Sequence, residues 1–226
     1  MNSDAGNLYS DLRQAILRGE YGFGSRLKID AIARRYGVSH MPVRRVLQQL
    51  AGDRLVTTER NRGATVRAID VGSVRNIYDV VIPLEAMLTR RATERMSEAA
   101  TTRLASIEAE FEAAADAPDP DAIARLNRQF HEAIYEEAAN PDASHIVDRY
   151  QEMLRAFRRA YGFDPGRLPG VIADHQALLG SFGTGDADGA AMIAAGHAAK
   201  ARNDLVKAIR QAAGNKGERH MRITGT

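Results

Sequence analysis

The stretch Leu27-Lys-Ile-Asp-Ala-Ile-Ala-Arg-Arg-Tyr-Gly-Val-Ser-His-Met-Pro-Val-Arg-Arg-Val-Leu-Gln-Gln-Leu50 reads as two short helices joined by a tight turn. Ile29, Ile32 and Ala33 share one face of a helix over residues 28–36, and Gly37 is placed as its left-handed terminator. Ser39 stands at the N-cap of the next helix. There Val43, Val46, Leu47 and Leu50 form an apolar stripe, leaving His40, Met41, Arg44, Arg45 and Gln48 on other faces. Two short helices so joined, the second with an exposed basic face, fit a helix into the major groove of double-stranded DNA.

The flanking sequence extends this unit. Upstream, Leu8, Leu12, Ala15 and Ile16 recur at helical spacing until Gly19 breaks the pattern. Downstream, Arg54-Leu-Val-Thr-Thr58 and Ala64-Thr-Val-Arg67 are β-rich runs around the polar turn Glu59-Arg-Asn-Arg-Gly63, which predicts a hairpin, or wing. Residues 1–67 carry 12 Lys+Arg against 6 Asp+Glu, whereas the remaining chain carries 19 against 23, so the overall +2 conceals a basic N-terminal part suited to a polyanion.

Beyond a linker at 68–72, helical periodicity continues over about 70–97, 101–116, 119–138, 141–161, 167–182 and 186–213. The expected fold is therefore mainly α: a winged helix-turn-helix over 1–67, an all-α helical bundle over 73–214, and a polar, frayed tail over 215–226. Pro83 lies inside the first of these helices and predicts a kink or a later helix start. The chain has no cysteine, which excludes disulfides and thiolate ligands. Without a signal-like N-terminus or a long apolar run, a cytoplasmic protein with no membrane partner is expected.

The Leu27–Leu50 stretch, followed by Gly52-Asp-Arg-Leu-Val56 and Asn61-Arg-Gly-Ala-Thr-Val66, resembles the GntR family of bacterial regulators. The resemblance implies that Arg44 contacts a base edge or phosphate and that position 40 reads a base. It also implies that Arg62 and Gly63 carry the wing into the minor groove, with Ser39, Met41 and Arg45 completing the DNA-facing set. His40 stands where the family commonly has Arg, and Arg45 where it commonly has Glu, so the operator is expected to differ from the usual half-site.

In Leu126-Asn-Arg-Gln-Phe-His131, residues Asn127 and His131 are four apart on one helix face, within reach of a common ion. His175 and His197 lie in two other predicted helices and could close a site in a bundle core, while His145 is expected at the surface. The Leu-Asn-x-x-Phe-His, Asp174-His-x-x-Leu-Leu and His197 segments resemble the FCD effector domain of the FadR subfamily, in its six-helix, VanR-like form. Metal-binding members use a carboxylate and three histidines, which fall here on Asn127, His131, His175 and His197. The resemblance thus implies a divalent metal, Zn or Ni, with an amide in place of the carboxylate. Such domains commonly hold an effector carboxylate with an Arg four residues before a Glu. Here Glu85 is present but position 81 is Val, so acid recognition is expected from the metal or from another cation, with Arg149 a candidate, and Tyr78 is a hydrogen-bonding or core residue.

Three histidines around an ion also describe a metal-dependent hydrolase, and a basic head alone describes an architectural DNA-binding protein. The sequence carries no nucleophile motif or phosphate loop to support an enzyme. The expected function is a homodimeric transcriptional regulator, commonly a repressor, that binds an operator and responds to a small carboxylate effector.

Overall fold

The structure, a computed structural model, describes residues 3–59, 63–116, 119–162 and 164–223. The chain divides into two compact units: residues 1–71 together with 152–160, and residues 72–151 together with 161–226.

The first unit contains α1 (Ser3–Leu17), β1 (Arg26–Leu27), α2 (Ile29–Tyr36), α3 (His40–Gly52), β2 (Val56–Glu59) and β3 (Gly63–Val66). Gly37 ends α2 at φ 65° and donates its N–H to Ala33 O, as its position predicts. Ser39 occupies the N-cap of α3, but contrary to expectation its hydroxyl makes no capping bond. The predicted hairpin is present, with Val56 opposite Val66 and Thr58 opposite Ala64. It belongs to a three-stranded antiparallel sheet of order β1-β3-β2. β1 is too short to carry a period, so sequence reading passes over it.

Gly63 is required where β3 meets β1: its φ is +94°, and a Cβ there would lie 2.5 Å from the Leu27 carbonyl oxygen. The nine residues 152–160 complete this unit. Phe157, 1% exposed, meets the Phe23 ring edge-on at 5.2 Å, and Arg159 Nη2 donates to Leu17 O at 2.8 Å. Glu152 pairs with Arg13.

The second unit is helical. It is built from α4 (Val71–Thr93), α5 (Glu98–Asp116), α6 (Pro120–Ala138), α7 (Pro141–Tyr161, shared with the first unit), α8 (Leu168–Thr184) and α9 (Ala187–Ile223), with a 3-10 turn at Pro165–Arg167. α4 begins at Val71 and continues through Pro83, so the helix does not start late. α9 runs to Ile223, through the stretch expected to fray. Leu88, Leu104, Phe130, Ile134, Val147, Leu178 and Ala190, drawn from six helices, form one core. Asp119 caps α6 by accepting from the Asp121 and Ala122 N–H groups. Among the described residues no helix is long and apolar enough to cross a membrane.

Candidate metal centre and nucleic-acid interface

The helix stripes explain why three histidines meet. On α8 the buried residues Leu168, Val171, His175, Leu178 and Phe182 follow helical spacing, so His175 occupies a core position. On α9 the inward face is Ala190, Ala194, His197, Ala201 and Leu205, where small alanines permit close approach. His131 follows the fully buried Phe130 on α6 and is half-buried. One nitrogen from each of His131, His175 and His197 lies within 4.8 Å of the other two. Ring centroids are 5.2–5.4 Å apart in all three pairs. Asn127, one turn before His131, is half-buried.

Two carboxylates that sequence reading did not single out stand behind these rings. Glu108 of α5, 1% exposed, places Oε2 2.7 Å from His175 Nδ1, and Asp174 places Oδ2 3.2 Å from His197 Nδ1. Asp174 also accepts from Lys200 Nζ at 2.6 Å. Glu108 was detectable, because it sits on the apolar stripe Ala100, Leu104, Phe111, where a carboxylate needs a partner. Burial pushes the Glu108 carboxyl up to about 8 and the His175 imidazole down to about 4, and it also lowers His197. The hydrogen bond from His197, with that from Lys200, holds Asp174 down at about 2 despite its partial burial.

His175 Nε2 and Glu108 Oε1 are buried without a hydrogen-bond partner among the described residues. An orphaned nitrogen of this kind costs roughly 1–3 kcal/mol unless something ligates it. Three neutral imidazoles form a donor set suited to a borderline divalent ion. The residues therefore fit a metal, with His131, His175 and His197 to hold it.

Tyr78 is fully buried on α4 and Arg149 is half-buried on α7. The buried Glu85 accepts from Gln151 Nε2 at 2.6 Å. Arg167, 15% exposed, pairs through Nε with Asp204 at 2.8 Å and reduces the proton affinity of His175 and His197, so a cation overlooked in the sequence lies near the histidines. His145 is exposed, as expected.

On the DNA side, His40, Met41, Arg44 and Arg45 are all exposed on α3, Met41 at 69%, while Val43, Val46, Leu47 and Leu50 are buried, as the stripe predicts. Ser39 is also exposed. His40 Nε2 lies 3.1 Å from Asp30 Oδ1. Arg62 lies outside the described residues, and Gly63 opens β3.

Residues 5–66 match the bacterial regulatory proteins of the gntR family, and residues 76–200, more than half of the chain, match the FCD domain. The chain belongs to the GntR family. This GntR protein is 27% identical over 205 residues to the galactonate operon transcriptional repressor of Escherichia coli, covering 81% of this chain and 88% of that one. It is 30% identical over 124 residues to the gluconate operon transcriptional repressor of Bacillus subtilis, covering 55% and 51%. Its fold is similar to that of a GntR regulator from Rhodococcus (TM-score 0.71, 18% identical, 91% of this chain and 99% of that one). It is also similar to E. coli McbR/YncC (0.64, 21%, 97% and 100%). The GntR protein is thus a DNA-binding transcription regulator with an FCD effector domain, and not an enzyme.

Proposed function

We propose that this GntR regulator is a cytoplasmic, homodimeric repressor whose operator binding is released by a small organic acid. Residues 1–67 bind the operator, one head to each half-site. Ser39, His40, Met41, Arg44 and Arg45 face the major groove, and Arg62 with Gly63 carry the wing. Residues 73–214 form the dimer and hold a divalent ion, Zn or Ni, on His131, His175, His197 and the amide of Asn127. The 68–72 linker passes the ligand state to the heads.

The observation that carries this reading is the convergence of three imidazoles, two of them buried, inside an FCD domain. A divalent ion held by neutral ligands attracts an anionic oxygen to its remaining positions, which is the basis for a carboxylate effector that Tyr78 or Arg149 assists. Two relatives are named as repressors of galactonate and gluconate operons, and both names denote polyhydroxy carboxylates.

The test is calorimetry of zinc-loaded and chelator-stripped protein with galactonate, gluconate and other small acids, alongside operator footprinting and light scattering. We expect acid binding only with metal, release of a pseudo-palindromic footprint on binding, and a mass twice the 24.7 kDa chain. Acid binding of equal strength without metal removes the metal from the mechanism. Asn127→Asp should tighten zinc and weaken the acid, because it adds a charged ligand.

A further inference from the structure

The three imidazoles carry no charge of their own, yet a divalent ion among them requires counter-charge and rings fixed in one orientation. The two carboxyl groups behind the rings fix the orientation, and Asp174 supplies counter-charge. Glu108 is fully enclosed at the stripe of α5 and has Oε2 2.7 Å from His175 Nδ1; Asp174 has Oδ2 3.2 Å from His197 Nδ1 and is itself steadied by Lys200. In both rings the carboxylate takes Nδ1, so the nitrogen left to face the cluster is Nε2. For His175 that is the buried nitrogen without a partner. The two carboxylates come from different helices, α5 and α8, and engage rings on α8 and α9. The same arrangement therefore arises twice from separate elements.

We infer that Glu108 and Asp174 are the outer-sphere carboxyl groups of the histidine centre: each aligns one imidazole through Nδ1, so that Nε2 is the ligating atom, and Asp174 supplies negative charge that the inner ligands lack. This inference rests on the reading of the histidine cluster as a divalent-metal centre. Glu108 and Asp174 are positioning residues and do not touch the ion. The arrangement follows the general pattern in which a metal-bound histidine donates its second ring N–H to a carboxylate.

The test uses the full chain, stripped of metal and titrated with zinc against a competing chelator, in wild type, Glu108→Gln, Glu108→Leu and Asp174→Asn. Zinc affinity should fall about 10- to 100-fold in each variant. Nitrogen-15 spectra of the zinc-loaded histidines supply a readout that a merely structural role leaves unmoved. Wild type should show Nε2 coordination at His175 and His197. Glu108→Leu should disturb the His175 signals and leave those of His197 in place, and Asp174→Asn should do the reverse. Glu108→Gln keeps the side-chain shape and carries the affinity test if the leucine variant does not fold.

Affinities within twofold of wild type in Glu108→Gln and Asp174→Asn overturn the inference, as does Nδ1 coordination in wild type. Zinc held as tightly by the variants as by wild type rejects the outer-sphere role alone. A wild-type protein that takes up no zinc rejects the metal centre itself.

Discussion

The His175 imidazole lies nearly parallel to the Phe130 ring, 4.2 Å between centroids and 16° between planes. Phe130 also meets its neighbour His131 edge-on at 5.9 Å. One fully buried ring on α6 thus walls two of the three imidazoles. Phe130→Ala should cost about 3–5 kcal/mol of stability, by the usual measure of an emptied aromatic site, read by urea unfolding of chelator-treated protein. Zinc affinity should fall with it, and an unchanged affinity would show that the imidazoles keep their places without the ring.

Stability of the metal-free protein should depend on pH through Glu108 and His175. Burial raises Glu108 from 4.5 to about 8, so its contribution is complete below about pH 4.5 and is lost as pH rises through 8. Burial lowers His175 from 6.5 to about 4, so its contribution is present above 6.5 and is lost as pH falls through 4. The two oppose each other between 4.5 and 6.5, and above that only Glu108 acts. The melting temperature should therefore decline from pH 6.5 to 8, and Glu108→Gln should abolish that decline. A melting temperature that climbs over this interval contradicts the assignment.

Arg44, exposed on α3, should contribute sequence discrimination if this helix enters the major groove as proposed. Arg44→Ala should weaken operator binding by about 1–3 kcal/mol and relax preference at one position in each half-site. Arg62→Ala should instead weaken all sequences alike and reduce the salt dependence by about one counterion. Titrations on operator and random DNA across a salt series separate the two effects.

Gly63→Ala places a Cβ against the Leu27 carbonyl oxygen at a backbone φ of +94°. Both the contact and the conformation oppose it, at a cost of about 1–3 kcal/mol. Thermal melting should record the loss. Operator affinity should drop too, because β3 carries the wing.

Phe157 belongs to α7 but packs in the unit formed by residues 1–71. Phe157→Ala should cost about 3–5 kcal/mol, and a fragment of residues 1–67 should melt well below the same residues within the whole chain. Circular dichroism of both proteins checks this, and equal melting temperatures would show that residues 152–160 add nothing to the head.

Much of this architecture is legible in the order of apolar residues. The spacing of Val43, Val46, Leu47 and Leu50 determines which face of α3 is buried, and so which arginines remain outside. The breaks at Gly37 and Asp119 determine where helices end and begin, because left-handed glycine and a side-chain cap act within a few residues. The i, i+4 pair Asn127 and His131 is likewise local. What the tertiary structure alone decided is which stripes face one another. Periodicity states that Glu108, His175 and His197 point inward from α5, α8 and α9, but not that α8 lays its imidazole against the carboxylate of α5 and beside the ring of α9. The same holds for β1, whose two residues have no period, and for residues 152–160, whose stripe continues unbroken along α7 while their packing partners change. A helix stripe encodes burial, and burial is satisfied by any apolar neighbour of the right shape. The choice of neighbour is made only when the whole core closes.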